Sequence, residues 1–201
     1  MQSERIGVFG GTFDPLHNGH LMIALEVREA LDLDRMLLVV ANDPWQKTGS
    51  TVTPAAIRLE MAIHAVAATN DLCGATLLEV SDVEVARGGE TYSADTLEQL
   101  RAAHPSAELF LVVGSDAAVG LDTWKRPDDV RELASTVVVD RGGREGGRPP
   151  EGWPHEVVDV PVMEVSSSDL RNRFATGRPV AALVPHTVIG DVAMLGLYGT
   201  A

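Results

Sequence analysis

The chain reads as an α/β protein: a doubly wound parallel sheet with helices on both faces and a C-terminal helical segment. Short apolar runs alternate with amphipathic helical patterns along nearly the whole sequence, the order expected of parallel strands joined by crossover helices. A glycine-rich turn joins the first apolar run to the first helical pattern. The polar residues with chemical potential fall just after apolar runs, and in such sheets ligands bind beyond the carboxyl ends of the strands.

Taken in order, the first strand is expected at Arg5 to Phe9. A helix follows from about Asn18 to Leu31, with Ile23, Val27, Ala30 and Leu31 spaced to share a face. The second strand is Arg35 to Ala41, and Asn42 to Val52 is a loop. Thr53-Pro54 reads as an N-cap followed by proline at the first helical position, opening a helix to about Ala68. His64 shares a face there with Ile57, Met61 and Ala65, so a packed core histidine is expected. The third strand is Ala75 to Val80. An irregular piece, Arg87 to Tyr92, leads to a helix capped by Ser93 that ends near His104-Pro105. The fourth strand, Leu109 to Val113, runs straight into Gly114-Ser115-Asp116. A loop and helix pass Trp124 to Ala134, and the fifth strand is Thr136 to Asp140. Arg141 to His155, rich in Gly, Arg and Pro, reads as a mobile surface loop. A short strand, Glu156 to Val160, precedes the C-terminal helical segment of residues 166–201: Ser166 to about Ala175, then Leu183-Val184-Pro185 opening a helix stopped by Gly196. One domain spanning 1–201 is expected.

With 201 residues, 45% of them hydrophobic, the chain can bury a good core. It contains no apolar run long enough to span a membrane. With a strand expected from Arg5, no signal peptide is expected either. The one cysteine, Cys73, cannot form an internal disulfide and is read as structural, which fits a reduced cytoplasmic compartment. A net charge of −13 argues against a nucleic acid partner, since duplex binding needs many Lys and Arg contacts. A nucleotide substrate needs only a few local cations.

The block that organises the chain is Gly10-Gly11-Thr12-Phe13-Asp14-Pro15-Leu16-His17-Asn18-Gly19-His20. Small residues let backbone approach an anion, and the helix start offers N–H donors and a positive dipole end. His17 and His20, three residues apart, face one side of the first turn and can donate to phosphate oxygens. Near the other end, Ser166-Ser167-Ser168 supplies an N-cap and a cluster of hydroxyls, with Arg171 one turn in. Lys47 lies on the loop after the second strand and Arg141 follows the fifth; both are candidate partners for a phosphate. Trp124 can stack on a flat ring, and Tyr92-Ser93 can supply a hydroxyl and N–H groups.

The His-x-Gly-His block placed after a strand resembles the signature of the HxGH nucleotidyltransferase superfamily. Val165-Ser166-Ser167-Ser168-Asp169-Leu170-Arg171 resembles its second signature. Gly114-Ser115-Asp116 with Trp124 resembles the Gly-x-Asp…Trp element of bacterial nicotinate mononucleotide adenylyltransferases, and Glu90 to Leu97 resembles their Ser-Tyr-Thr-x-x-Thr-Leu element. Val138 to Arg141 and Leu183 to Tyr198 match further positions in the same order. The resemblance implies a Rossmann-like fold and transfer of an adenylyl group from ATP to a pyridine mononucleotide. It implies His17, His20 and Arg171 as catalytic residues. Contacts to ATP would come from Gly10, Gly11, Thr12, Phe13, Gly19, Gly114, Asp116 and Ser166 to Ser168, and contacts to the acceptor from Lys47, Tyr92, Ser93, Trp124 and Arg141. Mg2+ is expected to ride on the triphosphate, with no dedicated protein metal site.

Asp43, Glu90 and Ser93 depart from the family pattern around the acceptor, so the choice between nicotinate and nicotinamide stays open, as does a homo-oligomer. Phosphopantetheine adenylyltransferase shares both phosphate signatures but not the Gly-x-Asp…Trp and Tyr-Ser elements. An aminoacyl-tRNA synthetase fragment would carry a lysine-rich second signature, absent here. A silent nucleotide-binding regulator is disfavoured by the intact histidines and Arg171.

Overall fold

The computed structural model describes residues 3–43, 52–143 and 145–200. Six parallel strands form one sheet in the order β3-β2-β1-β4-β5-β6. They are β1 (Arg5–Gly11), β2 (Arg35–Val40), β3 (Glu79–Ser81), β4 (Glu108–Gly114), β5 (Ser135–Arg141) and β6 (His155–Val160). The strand order reverses between β1 and β4, so a crevice opens beyond their carboxyl ends.

The helices are α1 (Asn18–Ala30), α2 (Ala55–Cys73), α3 (Val83–Arg87), α4 (Ser93–Ala103), α5 (Ser115–Ala118), α6 (Pro127–Leu133), α7 (Ser167–Ala175) and α8 (His186–Leu195). Successive strand residues point to opposite faces. Met36, Leu38 and Val40 join Val27, Met61, Leu170 and Val188 in one core layer. Leu37 and Val39 join Leu97, Leu100 and Val130 in the other. The long apolar runs of β2, β4 and β5 reflect this double burial.

Several local expectations are corrected. The helix expected to end near Ala68 runs to Cys73 and closes on Gly74, whose φ of 65° is the left-handed conformation typical of a helix stop. That moves the third strand from Ala75 to Glu79; the chain before it is carried by Asn70, whose Oδ1 accepts from the N–H groups of Leu77 and Leu78. Cys73 therefore lies exposed at a helix end. Pro54 occupies the N-cap position of α2, and Thr53 offers its carbonyl to Arg58 instead of capping. Ser93 is the first helical residue of α4, with Tyr92 in the N-cap position. His64 is not a core residue: it lies exposed, with Nδ1 2.9 Å from Asp191 of α8. The buried face of α2 is Arg58, Met61, Ala62, Ala65 and Val66, and an arginine on that face displaces the apolar pattern by one residue.

The segment read as a loop over 141–155 is tied down at both ends. Arg148 pairs with Asp140 of β5 at 2.7 Å, and the Gly143 N–H donates to Asp159 of β6. Trp153 is buried and donates from Nε1 to Asp122 at 2.6 Å.

Candidate active site

The turn leaving β1 is shaped by its glycines. A Cβ on Gly11 would lie 2.5 Å from the Phe13 ring, so only glycine lets Phe13 fold back beneath the turn. Phe13 itself has a φ of 47°, and its buried ring meets His20 edge-on at 5.0 Å. Gly10 and Gly114, at the ends of neighbouring strands, would both direct a Cβ into open space. The crevice between β1 and β4 is thus kept clear of side chains.

His17 is the N-cap residue of α1, and its N–H donates to His20 Nδ1 at 3.3 Å. That bond requires a lone pair on Nδ1, so in neutral His20 the proton sits on Nε2, the nitrogen able to donate to an anion. The two imidazoles stack with centroids 3.6 Å apart. His17 is only 6% exposed, and its Nδ1 is buried without a hydrogen-bond partner among the described residues. Burial, reinforced by the Arg141 charge, pushes its pKa down to about 4, so the ring is neutral near pH 7. Gly19 is a close-approach point: a Cβ there would stand 2.8 Å from Val165.

That approach seats the start of α7 against the same turn. Ser166 caps α7, its Oγ accepting from the Asp169 N–H at 3.2 Å. Ser167 Oγ donates to the Pro15 carbonyl at 3.0 Å. Arg171 donates through Nη1 to the Asp14 carbonyl at 2.7 Å and through Nη2 to Ser168 Oγ at 3.2 Å. The imidazole pair and the late guanidinium therefore flank one turn, Asp14 to His17.

A second compartment, a cleft of about 230 Å³, opens where the strand order reverses. Gly10, Gly11, Tyr92, Ser93, Trp124 and Lys125 line it. Lys125 Nζ lies 3.9 Å from the centroid of the Tyr92 ring, and the Tyr92 hydroxyl donates to Glu90 at 2.6 Å. Glu84, also lining the cleft, is buried and accepts from Thr96 Oγ1 at 2.5 Å; burial raises its pKa.

The structure gathers most residues singled out from the sequence, with distinctions. Arg141, expected at the acceptor, lines the cavity shared by His20, Gly10 and Gly114 rather than the Tyr92–Trp124 cleft. Asp116 sits exposed in the first turn of α5 and does not line either compartment. Thr12 lines the cleft and gives its carbonyl to Arg58. Lys47 lies outside the described residues.

Sequence reasoning missed Arg58, Lys125, Glu84 and Tyr198. Arg58 is 1% exposed and donates to the carbonyls of Thr12, Asn42 and Thr53, bracing the loops after β1 and β2. The available signal was a cation in line with Met61, Ala62 and Ala65 on a helix. Among the described residues no group of three or more His, Cys, Asp or Glu side chains could hold a metal. The groups around the turn that can donate to phosphate oxygens are imidazoles, hydroxyls and a guanidinium, while its one carboxylate, Asp14, is buried and already accepts from Tyr198 and Thr53.

The cytidylyltransferase-like family model matches residues 8–173. A probable nicotinate-nucleotide adenylyltransferase of Saccharopolyspora erythraea is 41% identical over 197 residues, spanning 97% of this chain and 90% of that protein. One of Corynebacterium glutamicum is 41% identical over 198 residues, spanning 96% and 88%. Among solved structures, a Plasmodium falciparum nicotinic acid mononucleotide adenylyltransferase complexed with NaAD superposes with a TM-score of 0.77, covering 98% of each chain at 16% identity. That last likeness is one of fold.

Proposed function

We infer the chemistry from the premise that this chain belongs to the cytidylyltransferase-like family and, within it, to the nicotinate-nucleotide adenylyltransferases. The enzyme transfers the adenylyl group of ATP to nicotinate mononucleotide, giving nicotinate adenine dinucleotide and pyrophosphate. The observation that carries the reading is the convergence of His17, His20 and Arg171 on one turn beside an aromatic cleft at the sheet's reversal.

A phosphate oxygen of the acceptor forms a bond to the α-phosphorus while the bond to the bridging oxygen of pyrophosphate breaks. The attacking oxygen is already an anion, so the protein supplies no nucleophile; catalysis is positioning and charge stabilisation. We assign His20 Nε2–H to the α-phosphate and neutral His17 to the same phosphate group. Arg171 with the Ser166–Ser168 hydroxyls faces the β- and γ-phosphates. Magnesium, if carried by the triphosphate, would supply charge neutralisation there, and we assign no residue of this chain to hold it. Gly10, Gly11 and Gly114 line both compartments, so we assign the meeting of the acceptor phosphate and the α-phosphate to the space above them, with Arg141, which lines the His20 cavity, as a cation for it. Lys47 is assigned to the same phosphate. Trp124 stacks on the pyridine ring, Tyr92 and Ser93 contact its substituent, and Lys125 supplies a cation for a carboxylate there. Glu84 lines the same cleft, with burial raising its pKa and Thr96 donating to its carboxylate.

No helix among the described residues is long and apolar enough to cross a membrane. We place the enzyme in the cytoplasm as one domain over residues 1–201. The test is pyrophosphate release with ATP against nicotinate mononucleotide, nicotinamide mononucleotide and phosphopantetheine in parallel. The highest kcat/KM is expected with the first. Activity confined to phosphopantetheine overturns the assignment.

A further inference from the structure

The C-terminal turn Leu197–Gly199 matches a family position in sequence, yet the transfer chemistry above gives it no task. Tyr198 at its centre has a φ of 56°, in the left-handed region that large side chains rarely adopt. Its side chain is held at both ends. The ring packs on Phe174 of α7 with centroids 5.8 Å apart, one turn beyond Arg171. The hydroxyl donates to Asp14 Oδ1 at 2.7 Å. Burial keeps this phenol protonated well above its ordinary range, so the donor persists at any working pH.

Asp14 is 2% exposed, inside the glycine-rich block, and its two oxygens are divided between separate parts of the chain. Oδ2 accepts from the Thr53 N–H at 3.3 Å, ahead of α2, and lies 4.0 Å from Arg171 Nη1. The main-chain carbonyl of Asp14 is itself an acceptor for Arg171. A single buried carboxylate therefore joins the phosphate-binding turn, the start of α2, the arginine helix and the last turn of the chain.

We propose that Asp14 and Tyr198 form a latch that positions Arg171 and the Asp14–His17 turn for the triphosphate, so that the final turn of the chain is a working part of the nucleotide half of the site. Both are positioning residues; neither need touch the reacting atoms. The proposal rests on the nucleotide site assigned above, and it makes a directional claim: loosening the latch weakens ATP and spares the acceptor, because the Tyr92–Trp124 cleft makes no contact with it.

Tyr198→Phe removes only the hydroxyl and keeps the ring on Phe174. Calorimetric titration with α,β-methylene-ATP and, separately, nicotinate mononucleotide reads the two halves. A positioning contact acts on the ligand only through coupling, which at the low end of its usual range predicts about 5- to 10-fold weaker analogue binding for Tyr198→Phe. Affinity for nicotinate mononucleotide should be retained. Asp14→Asn should act in the same direction, since it removes the charge that the Tyr198 hydroxyl, the Thr53 N–H and Arg171 share, and the two losses should not simply add because both act on one carboxylate. Unchanged analogue binding in Tyr198→Phe, or equal weakening of both ligands, overturns the latch; if Asp14→Asn does not fold, Tyr198→Phe decides alone. Wild-type protein that fails to bind the analogue overturns it too. Wild type that binds the analogue but releases no pyrophosphate with nicotinate mononucleotide refutes the acceptor assignment and leaves the latch standing on the binding data.

Discussion

Around the Asp14–His17 turn the polar groups other than His17 Nδ1 are already engaged by protein: Arg171 by a carbonyl and a serine, Ser167 by Pro15, and Asp14 by Tyr198 and Thr53. The opposite wall is built differently. Tyr92, Ser93, Trp124 and Lys125 line an open cleft, and Lys125 is exposed with its ammonium over a ring. On the assignment proposed above, the nucleotide half is preorganised, as charge stabilisation in a transition state requires, because donors that need no rearrangement act most strongly. The acceptor half offers surface and a few charges, which suits choosing among ring substituents by binding. The contrast separates rate from selection, and it can be probed from either side.

The largest effect belongs to the preorganised half. His20→Ala should lower turnover by about 10² to 10³ while leaving the KM for nicotinate mononucleotide nearly unchanged. Near-normal turnover in that variant removes the assignment of His20 to the α-phosphate.

Next comes the cost of burying His17. Its folded pKa of about 4 lies below the ordinary 6.5, so between these values the unfolded chain binds the extra proton. Stability therefore rises with pH across that window and is lost as pH falls from about 6.5 towards 4, by up to about 3 kcal/mol. Calorimetric melting of wild type and His17→Asn from pH 7 to pH 4.5 should show a drop in Tm that is shallower in the variant. Parallel profiles would mean that His17 is not the group responsible.

On the open side, Trp124→Ala should raise the KM for the mononucleotide by about 10- to 30-fold through lost stacking and burial, with the KM for ATP little changed. Comparable rises for both substrates would erase the division between the halves. The smallest effect is expected at Lys125, an exposed cation. Lys125→Met should reduce the preference for nicotinate over nicotinamide mononucleotide by about two- to fivefold, most visibly at low ionic strength. An unaltered ratio assigns acid recognition to the backbone and Ser93.

Much of the fold was legible because strand and helix periods are strong local signals, and each predicted element appears in its predicted order. The failures have identifiable causes. His64 was placed inside because the apolar stripe of α2 was counted without Arg58, which lies on the buried face. The helix ran past Ala68 because its stop, Gly74, comes later and no proline intervenes. Lys125 is not legible in the sequence because an exposed lysine on a loop carries no pattern. Tyr198 matches a family position, but its contact is not legible in the sequence, since its partner Asp14 lies at the other end of the chain.

The sequence alone determined the strand–helix order, the glycine turn after the first strand, the serine cap before Arg171 and the family, all of which depend on neighbours within a few residues. Only the tertiary structure decided that Arg171 meets Asp14, that Arg141 stands with the histidines, and that Arg58 braces two loops from inside the core. Those contacts join residues far apart in the chain. Such pairings follow from how the sheet and its helices pack together, which a pattern read along one dimension does not contain.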